Sequence, residues 1–200
     1  MTTVFIVYGS RHGGTRGIAQ RIGKVLQAED LEAHVVPADG TGDVSTADAF
    51  VVGSGVYMGS WLKEPLEFMR RNQEVLAARP TWLFSSGPLR GSSKESAEAD
   101  PVTNALGPAT GPGSGGRKKV EELTATIQPR EHRVFFGAFD PNDPPRTLAE
   151  RVVRMVPASK DILPPGDFRE WGDIEAWAKE IAGVLTSADS RLERAVGAGT

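Results

Sequence analysis

Apolar runs rich in valine, isoleucine and phenylalanine alternate along the chain with segments whose apolar residues recur at helical spacing. The predicted strands lie at residues 3–9, 32–37, 48–54, 81–86 and 133–139. The predicted helices lie at residues 14–28, 61–77, 117–127 and 171–186, with a further helical patch at 148–156. The runs at 3–9 and 48–54 are apolar at almost every position, which is typical of strands buried on both faces.

Helices between consecutive strands imply crossover connections and therefore a parallel sheet with helices on both faces. The predicted fold class is α/β, a doubly wound parallel sheet of five strands. It occupies one domain, residues 1–186, followed by a tail at 187–200. Within that domain, the Gly- and Pro-rich residues 91–116 predict a mobile loop. Residues 140–170 predict an insertion after the fifth strand.

The composition argues against several classes of function. The net charge is only −3, with acidic and basic residues mixed along the chain, which argues against nucleic-acid binding. The chain has no cysteine, which excludes disulfides, iron–sulfur clusters and cysteine zinc sites, and its three histidines lack metal-ligand spacing, so no metal is predicted.

The N-terminus lacks a basic region before its apolar run, and no apolar run approaches the roughly 20 residues that span a bilayer. We therefore expect a soluble, cytoplasmic protein. Membrane contact, if the 148–156 patch makes any, is expected to be peripheral at most.

The loop after the first predicted strand combines small, hydroxyl-bearing and cationic residues. They are Ser10, Arg11, His12, Gly13, Gly14 and Thr15. The glycines allow a tight turn and close approach of a ligand, the hydroxyls offer donors, and the arginine offers a planar charge suited to phosphate. The following helix adds unpaired N–H groups and the positive end of its dipole. In a doubly wound sheet, ligands bind at this edge, so the loop predicts a phosphate site.

Two other phosphate-binding patterns fit the chain less well. A Walker loop is absent, because no lysine precedes Ser or Thr in the required spacing. Residues 53–59 spell GxGxxxG, which a dinucleotide could use, but bulky Val56, Tyr57 and Met58 occupy the space that a pyrophosphate needs. A receiver domain is excluded, because Gly9-Ser10 and Gly53-Ser54 stand where its acidic residues belong.

Ser10, Gly13 and Thr15 resemble the T/S-x-T-G-x-T turn with which flavodoxins wrap the phosphate of FMN. His12 departs from that pattern, since flavodoxins usually carry another hydroxyl there. The loop is more similar to that of bacterial menaquinone-dependent protoporphyrinogen oxidases, a flavodoxin-like family. Arg11, Gly13, Thr15 and Arg16 are in line with that family, whereas His12 stands where it has an acidic residue. The resemblance continues through VVGSGVYMGSW (51–61), VFFGAF (134–139) and FREWGDIEAWAKEI (168–181). It implies the flavodoxin fold, with strand order 2-1-3-4-5.

The resemblance also implies an FMN cofactor whose ring lies between two loops, residues 54–61 and 85–91. The residues implied there are Gly55, Val56, Tyr57, Met58, Gly59, Ser86, Gly87, Pro88 and Leu89. Tyr57 or Trp61 is available to stack on the ring. A deazaflavin in the same pocket is the alternative cofactor, and it requires hydride chemistry.

The function that the resemblance implies is a flavin-dependent oxidoreductase that passes electrons from a reduced substrate to a quinone. A porphyrinogen is one candidate for that substrate, and no catalytic acid or base is assigned. The alternative is a flavodoxin-type carrier protein that exchanges single electrons with partner enzymes. The oligomeric state stays open.

Overall fold

The computed structural model describes residues 1–57, 60–87, 114–139, 143–144 and 166–197. The strands are β1 Thr3–Gly9, β2 Glu32–Pro37, β3 Ala49–Tyr57, β4 Ser60–Trp61, β5 Thr81–Ser86, β6 Glu131–Phe135, β7 Ala138–Phe139 and β8 Gly166–Asp167. The helices are α1 Gly14–Ala28, α2 Lys63–Arg71, α3 Gln73–Ala78, α4 Ser114–Ile127 and α5 Trp171–Gly197. The predicted strands that became β1, β2 and β5 have the predicted bounds, whereas β3 continues to Tyr57, beyond the predicted end at residue 54.

The main sheet contains five parallel strands in the order β2-β1-β3-β5-β6. Counting only these parallel strands along the chain, the order is 2-1-3-4-5, so the predicted topology is confirmed. The short β4 pairs antiparallel with β3, and β7 pairs antiparallel with β8 in a separate two-stranded sheet.

Helices cover both faces of the main sheet, as the continuous apolar runs predicted. Successive residues of a strand point to opposite faces. In β3, Val51 packs into the core beneath α1 and α5, whereas Phe50 and Val52 pack into the core beneath α2, α3 and α4. All three side chains are fully buried. The doubly wound architecture leaves the carboxyl ends of β1, β3 and β5 adjacent at one edge.

The predicted helix at 61–77 is wrong in its bounds, because two shorter helices follow a bridge strand. Trp61 pairs with Val56 in β4, and α2 begins only at Lys63. The break between α2 and α3 lies at Asn72, whose backbone N–H and side-chain amide both donate to the carbonyl of Phe68, at 3.1 and 2.9 Å. An asparagine that bonds the preceding turn in this way ends the helix.

The predicted strand at 133–139 is also wrong in its bounds, since β6 begins at Glu131 and ends at Phe135. The Gly87 amide donates to the Phe135 carbonyl at 3.0 Å, which completes the ladder to β5, and the chain then leaves the main sheet. Ala138 and Phe139 instead form β7 beside β8.

The structure also moves the ends of two predicted helices. α4 begins at Ser114 rather than residue 117, and α5 continues to Gly197, beyond the predicted end at 186. The predicted helical patch at 148–156 and residues 91–113 of the predicted loop lie outside the described residues. Among the helices that the structure describes, none is long and apolar enough to cross a membrane.

Candidate functional site

The loop between β1 and α1 leaves the first turn of a helix open. Gly13 is the N-cap residue, with φ of 81° in the left-handed region, and it offers no side-chain cap. A Cβ at Gly13 would meet no atom of the described residues within 4 Å, so the loop is open at this point. The first turn of α1 contains no acidic residue. Within the described part of the chain, its first N–H groups and positive dipole end are therefore available to an anion.

The end of β3 lies against this loop. A Cβ built at Gly55 would lie 3.1 Å from the Thr15 hydroxyl and 3.0 Å from Cε2 of Tyr57, so only a glycine lets the strand come this close without displacement. Thr15 is buried at 4% exposure, and its hydroxyl makes no hydrogen bond to any residue that the structure describes. A hydroxyl that makes no hydrogen bond within the described residues fits a site for a polar ligand.

Tyr57 forms a wall beside the same loop. The guanidinium carbon of Arg11 lies 4.9 Å from the centre of the Tyr57 ring, and the His12 ring is 6.2 Å away at 45°. Arg11 over the ring face is a cation–π arrangement, which holds the arginine head near the loop while leaving its charge in place. The loop and the end of β3 therefore share one cluster of side chains.

The end of β5 reaches the same edge of the sheet. Gly87 has φ of 108°, a conformation that disfavours other residues, and a Cβ there would lie 3.8 Å from the Val56 carbonyl. Ser86, just before it, is 7% exposed, and its hydroxyl has no hydrogen-bond partner within the described part of the chain. The β3 and β5 ends thus flank a common space with backbone groups and small side chains.

A buried polar network holds these two strand ends together from below. The indole N–H of Trp61 donates to Ser85 Oγ at 2.8 Å, and Ser85 Oγ lies 2.9 Å from Nε2 of His132. Ser54 Oγ accepts the Leu62 amide at 3.0 Å. Trp61 is only 3% exposed, so its indole belongs to the core, and the expectation that it offers a stacking face is wrong.

His12 is paired with an acidic residue that the sequence pattern did not single out. Nδ1 of His12 donates to Oδ2 of Asp143 at 2.5 Å, although the two residues are 131 positions apart. Asp143 belongs to the DPNDPP segment that follows β7. No local spacing links the two residues, so only the folded chain reveals the contact.

A charged clamp supports the first turn of α1 from the side of α5. Arg169 donates through Nε and Nη2 to the two carboxylate oxygens of Asp167, at 2.7 and 2.6 Å, and its Nη1 lies 3.4 Å from the Gly14 carbonyl. The guanidinium also stacks 4.5 Å from the Trp171 ring. The hydrogen bonds from Arg169 lower the pKa of Asp167, so this carboxylate is ionised at neutral pH.

The structure brings together most of the residues that were predicted from the sequence. Ser10 to Thr15, Gly55 to Tyr57, and Ser86 with Gly87 converge on one edge of the sheet. Met58, Gly59, Pro88 and Leu89 lie outside the described residues.

Gly53, the first glycine of the GxGxxxG pattern, lies in the core of the sheet. A Cβ at Gly53 would lie 2.0 Å from Cζ of the buried Phe84. A glycine is therefore needed here for close packing against Phe84. This role in the core weighs against the dinucleotide interpretation.

Three solved structures are similar to this chain. A mutant flavodoxin from Pseudomonas aeruginosa is 19% identical, with a TM-score of 0.52, covering 92% of this chain and 99% of that one. A flavodoxin from the domain Archaea is 16% identical, with a TM-score of 0.51 and the same coverage. Rubredoxin oxygen:oxidoreductase from Desulfovibrio gigas is 14% identical, with a TM-score of 0.54, over 94% of this chain but 37% of that one. At these identities the likeness shows the fold.

The family assignment comes from the sequence itself. Residues 5–145 match the flavodoxin domain, a span that runs from β1 through the segment containing Asp143. No curated protein matches the chain. Flavodoxins bind FMN. Because the match covers well over half of the chain, this protein belongs to the flavodoxin domain family.

Proposed function

We propose that this chain binds FMN at the carboxyl ends of β1, β3 and β5 and acts as a flavin-dependent redox protein. The observation that carries the proposal is the open start of α1. Gly13, in the left-handed conformation, has no side chain to cap the first N–H groups of the helix, and no other described side chain caps them. Such a helix start binds phosphate through its amides and its dipole. Membership of a family whose flavodoxins bind FMN names the ligand.

The side chains of the loop suit the phosphate end of FMN. The hydroxyls of Ser10 and Thr15 would donate to phosphate oxygens, and Arg11 would supply a full positive charge. The hydroxyl of Thr15 has no partner among the described residues, so binding a phosphate would break no bond to any of them. Charged hydrogen bonds of this kind contribute about 1.5–3 kcal/mol each.

The ends of β3 and β5 suit the flavin ring. Gly55, Val56 and Tyr57 on one side, and Ser86 with Gly87 on the other, offer main-chain groups, one aromatic wall and no charged side chain. A neutral flat ring needs this kind of lining. Met58, Gly59, Pro88 and Leu89 complete these two loops in the proposal.

When bound, the flavin supplies the redox chemistry, and the protein contributes binding, orientation and electrostatics. We assign the chain to oxidoreductases that take electrons from a reduced small molecule and deliver them to a quinone. The support is the loop resemblance at Arg11, Gly13, Thr15 and Arg16 to quinone-dependent protoporphyrinogen oxidases. Residues 85–91 also contain no aromatic that would cover the ring, which favours direct contact with a substrate.

The cofactor is tested by titrating purified, flavin-free protein with FMN and with riboflavin, followed by absorbance and flavin fluorescence. We expect one FMN per chain and weaker binding of riboflavin. Thr15→Val keeps the shape of the buried side chain and removes the hydroxyl, so FMN affinity should fall roughly tenfold while riboflavin affinity holds. Thr126→Val, in α4, is the matched control, since its exposed hydroxyl bonds the Glu122 carbonyl in its own helix.

Other outcomes of the same experiment contradict the proposal in distinct ways. Binding of a deazaflavin without binding of FMN would support the pocket but contradict FMN as its cofactor. A protein that binds neither rules out the redox function. Once FMN binding is established, turnover of a porphyrinogen with a menaquinone analogue tests the oxidoreductase. Reduction in single-electron steps without any turnover would instead identify a carrier protein.

A further inference from the structure

The phosphate loop of this chain differs from the flavodoxin pattern at one position, and the structure provides that position with a partner. His12 stands where flavodoxins usually carry a hydroxyl donor. Its Nδ1 donates to Asp143 at 2.5 Å. The two side chains are only 16% and 27% exposed, so the contact is largely shielded from solvent. A shielded, charge-assisted hydrogen bond is stronger than one at an open surface.

The location of the pair ties it to the cofactor end of the sheet. His12 directly precedes Gly13, the open N-cap of α1. Its ring also lies 6.2 Å from Tyr57, the wall beside the loop. Asp143 approaches from the segment after β7, and β7 itself contacts the loop, since a Cβ at Gly14 would lie 3.5 Å from the Ala138 amide. The pair thus joins the loop to a part of the chain beyond the main sheet.

The chemistry of the imidazole ring limits what this pair can do. Donation from Nδ1 to a carboxylate fixes the orientation of the ring, so Nε2 is the nitrogen that can face a ligand. In the neutral ring Nε2 is then an acceptor, whereas in the imidazolium form both ring nitrogens donate and the Asp143 carboxylate balances the charge. In the imidazolium form the ring offers a phosphate an N–H donor in place of the O–H of a serine or threonine.

We propose that Asp143 is a positioning residue that holds His12 as a donor to the FMN phosphate, so that the pair replaces the missing hydroxyl of the loop. The proposal rests on the proposed function, because it requires FMN at this site. A carboxylate near a phosphate should weaken binding by repulsion if it acts through its charge alone. Positioning predicts the opposite sign, which makes the two explanations separable.

The test compares FMN and riboflavin affinities of wild type, Asp143→Asn and Asp143→Glu. Asp143→Asn should weaken FMN binding roughly tenfold, the usual loss for a charged hydrogen bond, and leave riboflavin binding unchanged. Asp143→Glu keeps the charge and moves the carboxylate, so it should also weaken FMN binding. Asp30→Asn removes the same charge at the far end of α1, about 22 Å from the loop, and should change neither affinity.

The same substitution in a His12→Thr variant tests whether Asp143 affects FMN affinity through His12. His12→Thr restores the hydroxyl of the flavodoxin pattern and should bind FMN without help from Asp143. Adding Asp143→Asn to His12→Thr should therefore cause no further loss. This cycle separates action through His12 from any direct action of the carboxylate.

Several results would overturn the proposal. FMN binding that is unchanged or tighter in Asp143→Asn would indicate charge repulsion or no role. Equal losses for FMN and riboflavin would indicate a purely structural contact, and so would unfolding of both Asp143 variants by circular dichroism. A loss that persists in the His12→Thr background would exclude action through His12. Failure of the wild-type protein to bind FMN would instead contradict the proposed function itself.

Discussion

Replacing Ser85 by alanine tests the polar network beneath the ends of β3 and β5. The substitution removes the acceptor of the Trp61 indole N–H, a bond of 2.8 Å at a side chain only 3% exposed. A donor left without a partner in such a site costs about 1–3 kcal/mol. We therefore expect the free energy of unfolding to fall by about 2 kcal/mol, which corresponds to about 4–8 °C in the melting temperature of a chain of this size.

The assay is urea unfolding of four proteins: wild type, Ser85→Ala, Trp61→Phe and the double variant. Trp61→Phe removes the indole N–H, so Ser85→Ala no longer leaves a buried donor unpaired and should cost less free energy of unfolding in that variant. The double variant should be more stable than the sum of the single effects by about 1 kcal/mol or more. Ser45→Ala is the control, since its exposed hydroxyl bonds Asp43 at the surface, and it should change stability by less than about 0.5 kcal/mol. Strictly additive single effects would refute the reasoning.

Two further stability predictions concern the core and the clamp beside α1. Gly53→Ala puts a Cβ 2.0 Å from the buried Phe84 ring, so it should lower stability by about 3 kcal/mol, the upper end for an overpacked core. Phe84→Leu in the same chain should recover part of the loss in a urea titration, and no recovery would contradict the packing argument. Arg169 lowers the folded-state pKa of Asp167, so their bond stabilises the fold above the ordinary carboxyl pKa and is lost as pH falls through the lowered value. Asp167→Asn should lower the free energy of unfolding at neutral pH by less than about 1 kcal/mol, because the carboxylate is partly exposed, and should have no effect in strong acid. Thermal unfolding across a pH series measures this difference, and an equal effect at every pH would count against the ion pair.

The fold was largely predictable because the strands of a doubly wound sheet are buried on both faces. β1, β2 and β5 are bounded by glycine, proline or serine, and their apolar runs end where the strands end. The alternation of strands and helices predicted a parallel sheet covered on both faces. These signals are local, and each depends only on neighbours along the chain, whereas the strand order came from the resemblance to flavodoxins.

The errors arose where a distant contact decides the local structure. The apolar run at 133–139 gives no sign that the Gly87 amide closes the ladder at Phe135. The helical spacing at 61–77 conceals both the pairing of Trp61 with Val56 and the break that Asn72 makes. In both places hydrogen bonds that the periodicity does not encode override it.

The candidate site was predictable in part for the same reason. The loop from Ser10 to Thr15 is contiguous, so its small and polar residues are visible in the sequence. The partner of His12 is not, because Asp143 is 131 positions away and comes from an irregular segment. Tyr57 was selected as a residue beside the flavin ring, which stays a prediction, and its contact with Arg11 in the loop required the structure.

The most direct test of the central claim follows the backbone amides by NMR during titrations with FMN and with riboflavin. If α1 holds the phosphate, the amide signals of Gly13, Gly14 and Thr15 should shift with FMN and stay nearly unchanged with riboflavin. Signals of Gly55 and Gly87 should shift with both ligands, because both carry the ring. FMN-induced shifts that leave residues 13–15 untouched would contradict the phosphate site and the account built on it.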